Sequence, residues 1–148
     1  MDKKILKKDM VLFKQLRNDS RASLTQISKK TNIPISTLYD RLKYHEGSLI
    51  KKHVSILNFG LLGYGARLQL LVKAPIETRS SLKNYLLSHE SVNNLLKITG
   101  GFDYSVECYF KSIPFAEEFV EGLEKDFNAQ FDAHYVVDDI KQEGFLAA

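Results

Sequence analysis

The chain has 148 residues and an apolar fraction of 44%, which is enough for one or two small globular domains. Residues 1–52 carry 13 Lys and Arg against five Asp and Glu, whereas the rest of the chain carries eight against 13. The apolar runs are too short to cross a bilayer and the start is charged, so we expect a cytoplasmic protein without a membrane partner. One cysteine and four scattered histidines predict no internal disulfide, no metal site and no cofactor.

The first predicted element is a helix over residues 5–17. One face of it carries apolar side chains at helical spacing, namely Leu6, Met10, Phe13 and Leu16. A turn signal, Asn18-Asp19-Ser20, follows the helix. Arg21 comes next, where its side chain could reach a phosphate or form a surface pair with Asp19, and both alternatives stay open.

The apolar spacing within residues 23–46 predicts two short helices joined by a tight turn. The apolar positions lie three and four residues apart, at Leu24, Ile27 and Thr31 and then at Ile35, Leu38 and Leu42. Ser23 is the expected N-cap of the first helix, and Pro34 suits the start of the second. With the preceding helix packed behind them, they form the outline of a helix-turn-helix whose second helix enters the DNA major groove.

The positive charge of the first third coincides with this helix-turn-helix, which favours double-stranded DNA as partner over a merely solvated lysine-rich surface. The candidates for phosphate contacts are Arg21, Lys29, Lys30, Lys51 and Lys52. The candidates for base edges or flanking phosphates are Ser36, Thr37, Tyr39, Asp40 and Lys43. Arg41 adjoins the apolar stripe, so we expect it to pair internally or to touch the DNA backbone.

Gly47 is expected to end the second helix. Alternation over His53–Leu57 then predicts a strand, and three glycines within residues 60–65 predict a hinge. We therefore assign residues 1–52 to a DNA-binding domain, 53–65 to a linking strand and hinge, and 66–148 to a second domain.

The second domain has the predicted element order β-α-β-β-α-β. The strands are expected at 67–74, 92–99, 103–110 and 129–140, and the helices at 78–89 and from 112 onward. This order predicts a ferredoxin-like α+β fold, a four-stranded antiparallel sheet with both helices on one face. The other face would show Leu71, Leu95, Tyr109 and Val136, and we expect it to pack on a second subunit.

Four segments, in this order, resemble the Lrp/AsnC family of leucine-responsive and feast/famine regulators. They are Leu16–Arg21, Leu38–Lys43, Leu62-Gly63 and Ile98–Tyr104. The resemblance spans nearly the whole chain. It implies a winged-type helix-turn-helix domain followed by a ferredoxin-like domain, called RAM in that family, and a sequence-specific transcriptional regulator.

The resemblance also implies a homodimer, with octamers common in the family, and a pocket for a small effector such as an amino acid. The matching residues are Thr99, Gly100, Gly101 and Asp103. The glycines would present backbone N–H groups to a carboxylate, and Asp103 would meet an ammonium group. The alternative is a tight hairpin in which Asp103 caps its own turn.

Three positions depart from the family pattern. Pro34 stands where a serine N-cap is usual, His45 stands where a leucine usually packs, and the end of the second helix is about one residue short. Ser36 could serve as the cap if that helix began two residues later. The missing cap hydroxyl is expected to weaken this end of the helix by about 1 kcal/mol.

A different function on the same architecture is that of the sirohaem decarboxylases, which would draw on His134 and Arg67. A third is a DNA-binding architectural protein without an effector. No catalytic triad, phosphate loop or pair of catalytic carboxylates is identified, so we expect no catalytic residues. The basic helix-turn-helix favours the regulator over the enzyme.

Overall fold

The computed structural model describes residues 4–145, and the ends of the two predicted domains, 1–3 and 146–148, lie outside them. The helices are α1 Lys7–Asn18, α2 Leu24–Thr31, α3 Ile35–His45, α4 Ile76–Ser88 and α5 Ile113–Phe127. The strands are β1 Ala66–Lys73, β2 Val92–Lys97, β3 Tyr104–Phe110 and β4 Gln130–Tyr135. None of these helices is long and apolar enough to cross a membrane.

The chain divides into two compact units. The first contains the residues up to Ile56 together with those from Ile140 onward, and the second is Leu57–Asp139. The helix-turn-helix therefore lies in the first unit and the whole sheet in the second. The boundaries of the three predicted domains stay a prediction.

The core of the first unit forms where α1, α2 and α3 meet. Leu12, Ile27 and Leu38 are fully buried there, one from each helix. Partly buried side chains complete the cluster, namely Leu16, Ala22, Leu24, Ile33 and Leu42. Complete burial of each aliphatic side chain contributes about 1.5–3 kcal/mol, so the three helices depend on one another for stability. The predicted three-helix arrangement is confirmed.

Two residues that the helical spacing placed in this core are exposed instead. Met10 is 37% exposed, because the buried face of α1 runs through Asp9, Leu12 and Phe13. Phe13 and Leu16 of the predicted face are packed as expected. Ile35 is 47% exposed, since it is the first residue of α3 and the buried stripe of that helix begins at Leu38.

The ends of α2 and α3 follow the predicted cap chemistry in part. The Oγ of Ser23 accepts a hydrogen bond of 3.2 Å from the backbone N–H of Gln26, as predicted for an N-cap. α3 begins at Ile35 after Pro34 without a side-chain cap, so Ser36 does not replace the missing cap. Gly47, two residues after the end of α3 at His45, has a φ of +72°, the left-handed conformation expected there.

The predicted strand His53–Leu57 is wrong for this single chain. Residues 51–58 belong to no strand, and the β contact that follows α3 is one bridge between Glu46 and Ile50. Val54 and Ile56 are both more than half exposed. Alternating polarity makes a segment suitable for a sheet, but a strand also requires a partner with free backbone groups.

The second unit is the predicted antiparallel sheet covered by two helices. The strand order is β2-β3-β1-β4. Leu68 and Leu70 of β1 lie opposite Cys108 and Val106 of β3. On the other edge of β1, Leu70 lies opposite Ala133 of β4. The inward side chains of β1 and β3 form one core with α4 and α5, and its fully buried helical members are Leu82, Leu86, Ala116 and Leu123. The ferredoxin-like fold is confirmed.

Four details of this unit differ from the sequence-based expectation. Leu95 faces the core opposite Val106, whereas Leu96 is 60% exposed, because a register shift after Val92 inverts the alternation of β2. In α5, Phe115 is 55% exposed. β2 ends at Lys97 and β4 at Tyr135, before the predicted ends.

Candidate nucleic-acid interface

The solvent-facing side of α3 carries the polar residues predicted to contact bases. Ser36, Tyr39, Asp40 and Lys43 are exposed at the i, i+3, i+4 and i+7 positions, and Thr37 is half-buried beside them. The Lys43 ammonium lies 5.9 Å from the centre of the Tyr39 ring and 3.6 Å from a carboxylate oxygen of Glu46. These exposed contacts are weak, so the side chains are available to a partner.

The residues predicted to contact phosphates are all exposed. They are Arg21, Lys29, Lys30, Lys51 and Lys52. Within residues 4–145 no carboxylate forms a salt bridge with any of them. The carboxylate of Asp19 instead accepts a 2.9 Å hydrogen bond from the backbone N–H of Arg21, which leaves the Arg21 guanidinium to the solvent side.

Arg41 is turned away from this surface and anchors α3 to α1. Its Nε and Nη2 atoms each donate a 2.5 Å hydrogen bond to one carboxylate oxygen of Asp9. A further bond of 3.1 Å joins Nη2 to the carbonyl of Lys4. The bidentate geometry is the strongest arrangement available to an arginine and a carboxylate. The expected internal pairing of Arg41 is confirmed.

Asp9 and His45 are both 0% exposed, and the sequence interpretation missed Asp9 altogether. Burial disfavours the Asp9 carboxylate, but hydrogen bonds from Arg41 and the backbone of Leu6 outweigh it and lower the pKa of Asp9 to about 2. His45 Nε2 lies 3.3 Å from the same carboxylate. The signal for Asp9 was its spacing, since it shares one helical face with Leu12 and Phe13.

The predicted effector segment borders a cavity of about 380 Å³ in the second unit. Gly100, Gly101 and Asp103 line it, whereas Thr99 is exposed and is not part of the lining. Gly100 has a φ of +96°, a conformation that favours glycine. Lys73 and Arg79 add positive charge to the wall.

Asp103 has partners inside this wall. One carboxylate oxygen accepts a 3.0 Å hydrogen bond from the backbone N–H of Ala74 and lies 3.1 Å from Nε of Arg79. The side chain therefore ties the β2–β3 turn to the start of α4 and does not cap its own turn. A ligand ammonium would share this carboxylate with Arg79.

The tetrapyrrole alternative gains no support from the two residues that it would use. Arg67 donates 2.5 and 2.6 Å hydrogen bonds to Glu107 and Asp139, and His134 is exposed on β4. The part of the chain that the structure describes also holds no group of three acidic, histidine or cysteine side chains that could bind a metal ion.

A helix-turn-helix with an outward polar helix, followed by a ferredoxin-like unit, is the architecture expected of a two-part transcriptional regulator. The chain is 31% identical over 105 residues to the HTH-type transcriptional regulator FL11 of Pyrococcus horikoshii, and the match covers 70% of each chain. This protein belongs to the Lrp/AsnC family of helix-turn-helix transcriptional regulators. No protein-family model matches it.

Solved structures share the fold over almost the whole chain. LrpC of Bacillus subtilis superposes with a TM-score of 0.85 at 18% identity, covering 94% of this chain and 99% of its own. A transcriptional regulator of Neisseria meningitidis in complex with L-methionine superposes with a TM-score of 0.84 at 17% identity, covering 94% of each chain. At these identities the likeness concerns the fold alone.

Proposed function

We propose that this regulator binds a pseudo-palindromic DNA site as a homodimer, with α3 of each subunit in the major groove. The observation that supports the proposal is the division of α3 into two sides. Tyr39 and Lys43 face solvent, whereas Leu38, Arg41 and His45 fasten the helix from behind. A helix held in this way presents its polar side without having to reorganise on binding.

Two kinds of contact are proposed for this surface. The five exposed cations described above neutralise phosphates and make the affinity sensitive to salt. Ser36, Thr37, Tyr39, Asp40 and Lys43 contact base edges or the phosphates beside them, and they set the sequence preference. A cytoplasmic location follows from access to DNA.

The dimer is proposed to form through surfaces that a single chain leaves partly uncovered. Leu71 and Tyr109 lie on the sheet face opposite the helices, where Tyr109 stacks on Phe59 with a centroid separation of 4.1 Å. Val54 and Ile56 alternate along an unpaired segment with free backbone groups. An octamer built from such dimers is the larger alternative.

A mobility-shift assay against DNA upstream of the protein's own gene, across a salt series, tests the DNA site. We expect binding at low salt that weakens steeply as salt rises. The double variant Lys43→Ala, Thr37→Ala should lose the preference for that DNA over a scrambled duplex, while Lys83→Ala in α4 should keep it. Absence of binding at low salt, or an intact preference in the double variant, contradicts the proposal.

We also propose that an amino acid binds at the cavity beside Gly100 and Asp103 and changes the assembly. The ligand's carboxylate would meet Lys73 or exposed backbone N–H groups, and its ammonium would meet Asp103. A thermal-shift screen of the amino acids, with particle size measured in parallel, tests this. Stabilisation and a change of size that Asp103→Asn abolishes support an effector, and no response to any amino acid favours an effector-free regulator.

A further inference from the structure

A second cavity, of about 500 Å³, opens in the ferredoxin-like unit away from the glycine turn. It lies between the last turn of α4 and the first half of α5, with Phe110 at its base. Phe110 pairs with Ala66 at one end of β1, whereas the Gly100–Asp103 turn adjoins Val72 near the other end. The two cavities share no lining residue.

The wall of this cleft is a continuous group of aromatic rings. The His89 ring lies 4.8 Å from Phe119 and 5.3 Å from Tyr85, and Phe119 lies 5.2 Å from Phe110, measured between ring centroids. Phe110 and Phe119 are each 6% exposed and form the deep part. Phe115 is one of the exposed aromatic residues at its edge. Such rings offer electron-rich faces to a cation.

The charged side chains around the rings favour a positive ligand. Glu90 and Glu118 line the cleft against one cation, Lys111. All three are exposed, and within residues 4–145 the side chain of Glu118 forms no salt bridge. A carboxylate beside aromatic faces is the usual environment for an organic ammonium group.

Gly122 lies on the wall of the cleft, in the middle of α5. Glycine in a helix interior is unfavourable relative to alanine, so a structural reason is expected for it. Glycine is usually required by a positive φ or by lack of space for a Cβ atom. Gly122 has no positive φ, and a Cβ atom added to it would meet nothing within 4 Å, so neither requirement applies. A side chain at this position would instead project from the cleft wall.

We propose that this cleft binds a small organic ammonium ion with an aromatic or apolar body, at a site separate from the glycine turn. The body packs against Phe119 and Phe115, and the ammonium group lies near the Tyr85 ring and the Glu118 carboxylate. The site is independent of the DNA surface of the first unit. It goes beyond the proposed regulator function, since either proposal can fail without the other.

The test uses two probes with the same ring and opposite charge, phenethylammonium and phenylacetate, on the full chain with ring-labelled tyrosine. Tyr85→Phe assigns the Tyr85 signal. We expect phenethylammonium to shift that signal in a saturable way and phenylacetate to bind at least about tenfold more weakly. Gly122→Phe should abolish the shift by filling the cleft, whereas the matched variant Gly122→Ala should raise the melting temperature and retain binding.

Glu118→Gln provides a second variant that does not depend on filling the cleft, and it should weaken phenethylammonium binding several-fold. The proposal is overturned if phenethylammonium leaves the Tyr85 signal unchanged, if phenylacetate binds equally well, or if Glu118→Gln has no effect. All variants should retain DNA binding in the mobility-shift assay, so failure here is distinguishable from failure of the DNA proposal.

Discussion

The position of α3 depends on one buried carboxylate, that of Asp9. Removing Asp9 and Arg41 from water is costly, and their mutual attraction offsets the cost only because the geometry is bidentate and the remaining lone pairs are used. The backbone N–H of Leu6 supplies one such bond, 2.7 Å long, and His45 Nε2 lies 3.3 Å from the same carboxylate oxygen. Asp9 thus connects the start of α1 to the end of α3.

Replacing Asp9 by asparagine should destabilise the first unit by about 3 kcal/mol, because Arg41 would be left partly buried without its counter-charge. Urea unfolding followed through amide signals of α1, α2 and α3 measures this. Asp40→Asn is the matched control, since Asp40 is exposed on α3, and it should change the stability by less than about 0.5 kcal/mol. Equal effects of the two variants would mean that Asp9 does not anchor α3.

The same carboxylate predicts how stability depends on pH. The pKa of Asp9 is about 2 in the folded protein against an ordinary value of 3.8, so the unfolded chain takes up its proton first as the pH falls. The stabilisation is fully present above about pH 5, and most of it is lost between about pH 4 and pH 2. Urea midpoints of the parent chain and Asp9→Asn should therefore converge over that interval, and parallel curves would contradict the assignment.

At the scale of whole elements, the prediction of which side chains face the core was most accurate for a strand with one face buried throughout. Leu68, Leu70 and Val72 alternate strictly because β1 is a central strand with the core on one side. In β2 the register shift after Val92 is not visible in the sequence, and the expected facing of Leu95 was wrong. A bulge depends on the partner strand, so local alternation cannot locate it.

The N-cap of α2 could be predicted from the local sequence alone, and it leads to a prediction about stability. Ser23 and Gln26 form a capping box in which each side chain accepts a hydrogen bond from the backbone N–H of the other residue. Ser23→Ala should lower the free energy of unfolding by about 1 kcal/mol, measured by urea denaturation. Ser36→Ala is the control, because Ser36 is not a cap, and it should have little effect. A larger loss from Ser36→Ala would show that α3 begins later than Ile35.

At the scale of the whole molecule, the candidate surfaces differ in how far a sequence can predict them. The exposed side of α3 was predictable, since polar residues placed between apolar ones at helical spacing must face outward. The Asp9–Arg41 pair joins residues 32 positions apart, and the aromatic cleft gathers rings from β3, α4 and α5. Such groupings depend on tertiary packing, about which local periodicity carries no information.

The last prediction concerns how the affinity for DNA depends on salt, and it follows from the unequal charge of the two units. If Lys29 and Lys30 each neutralise one phosphate, removing both should make the slope of log affinity against log salt less steep by about 1.8 per subunit. Lys83→Ala with Lys97→Ala removes the same charge from exposed positions of the second unit and should leave the slope unchanged. Titrations of labelled duplex between about 50 and 200 mM salt, a range that resolves such slopes, measure both. Equal losses of slope in the two double variants would mean that total charge, and not the helix-turn-helix surface, determines the affinity.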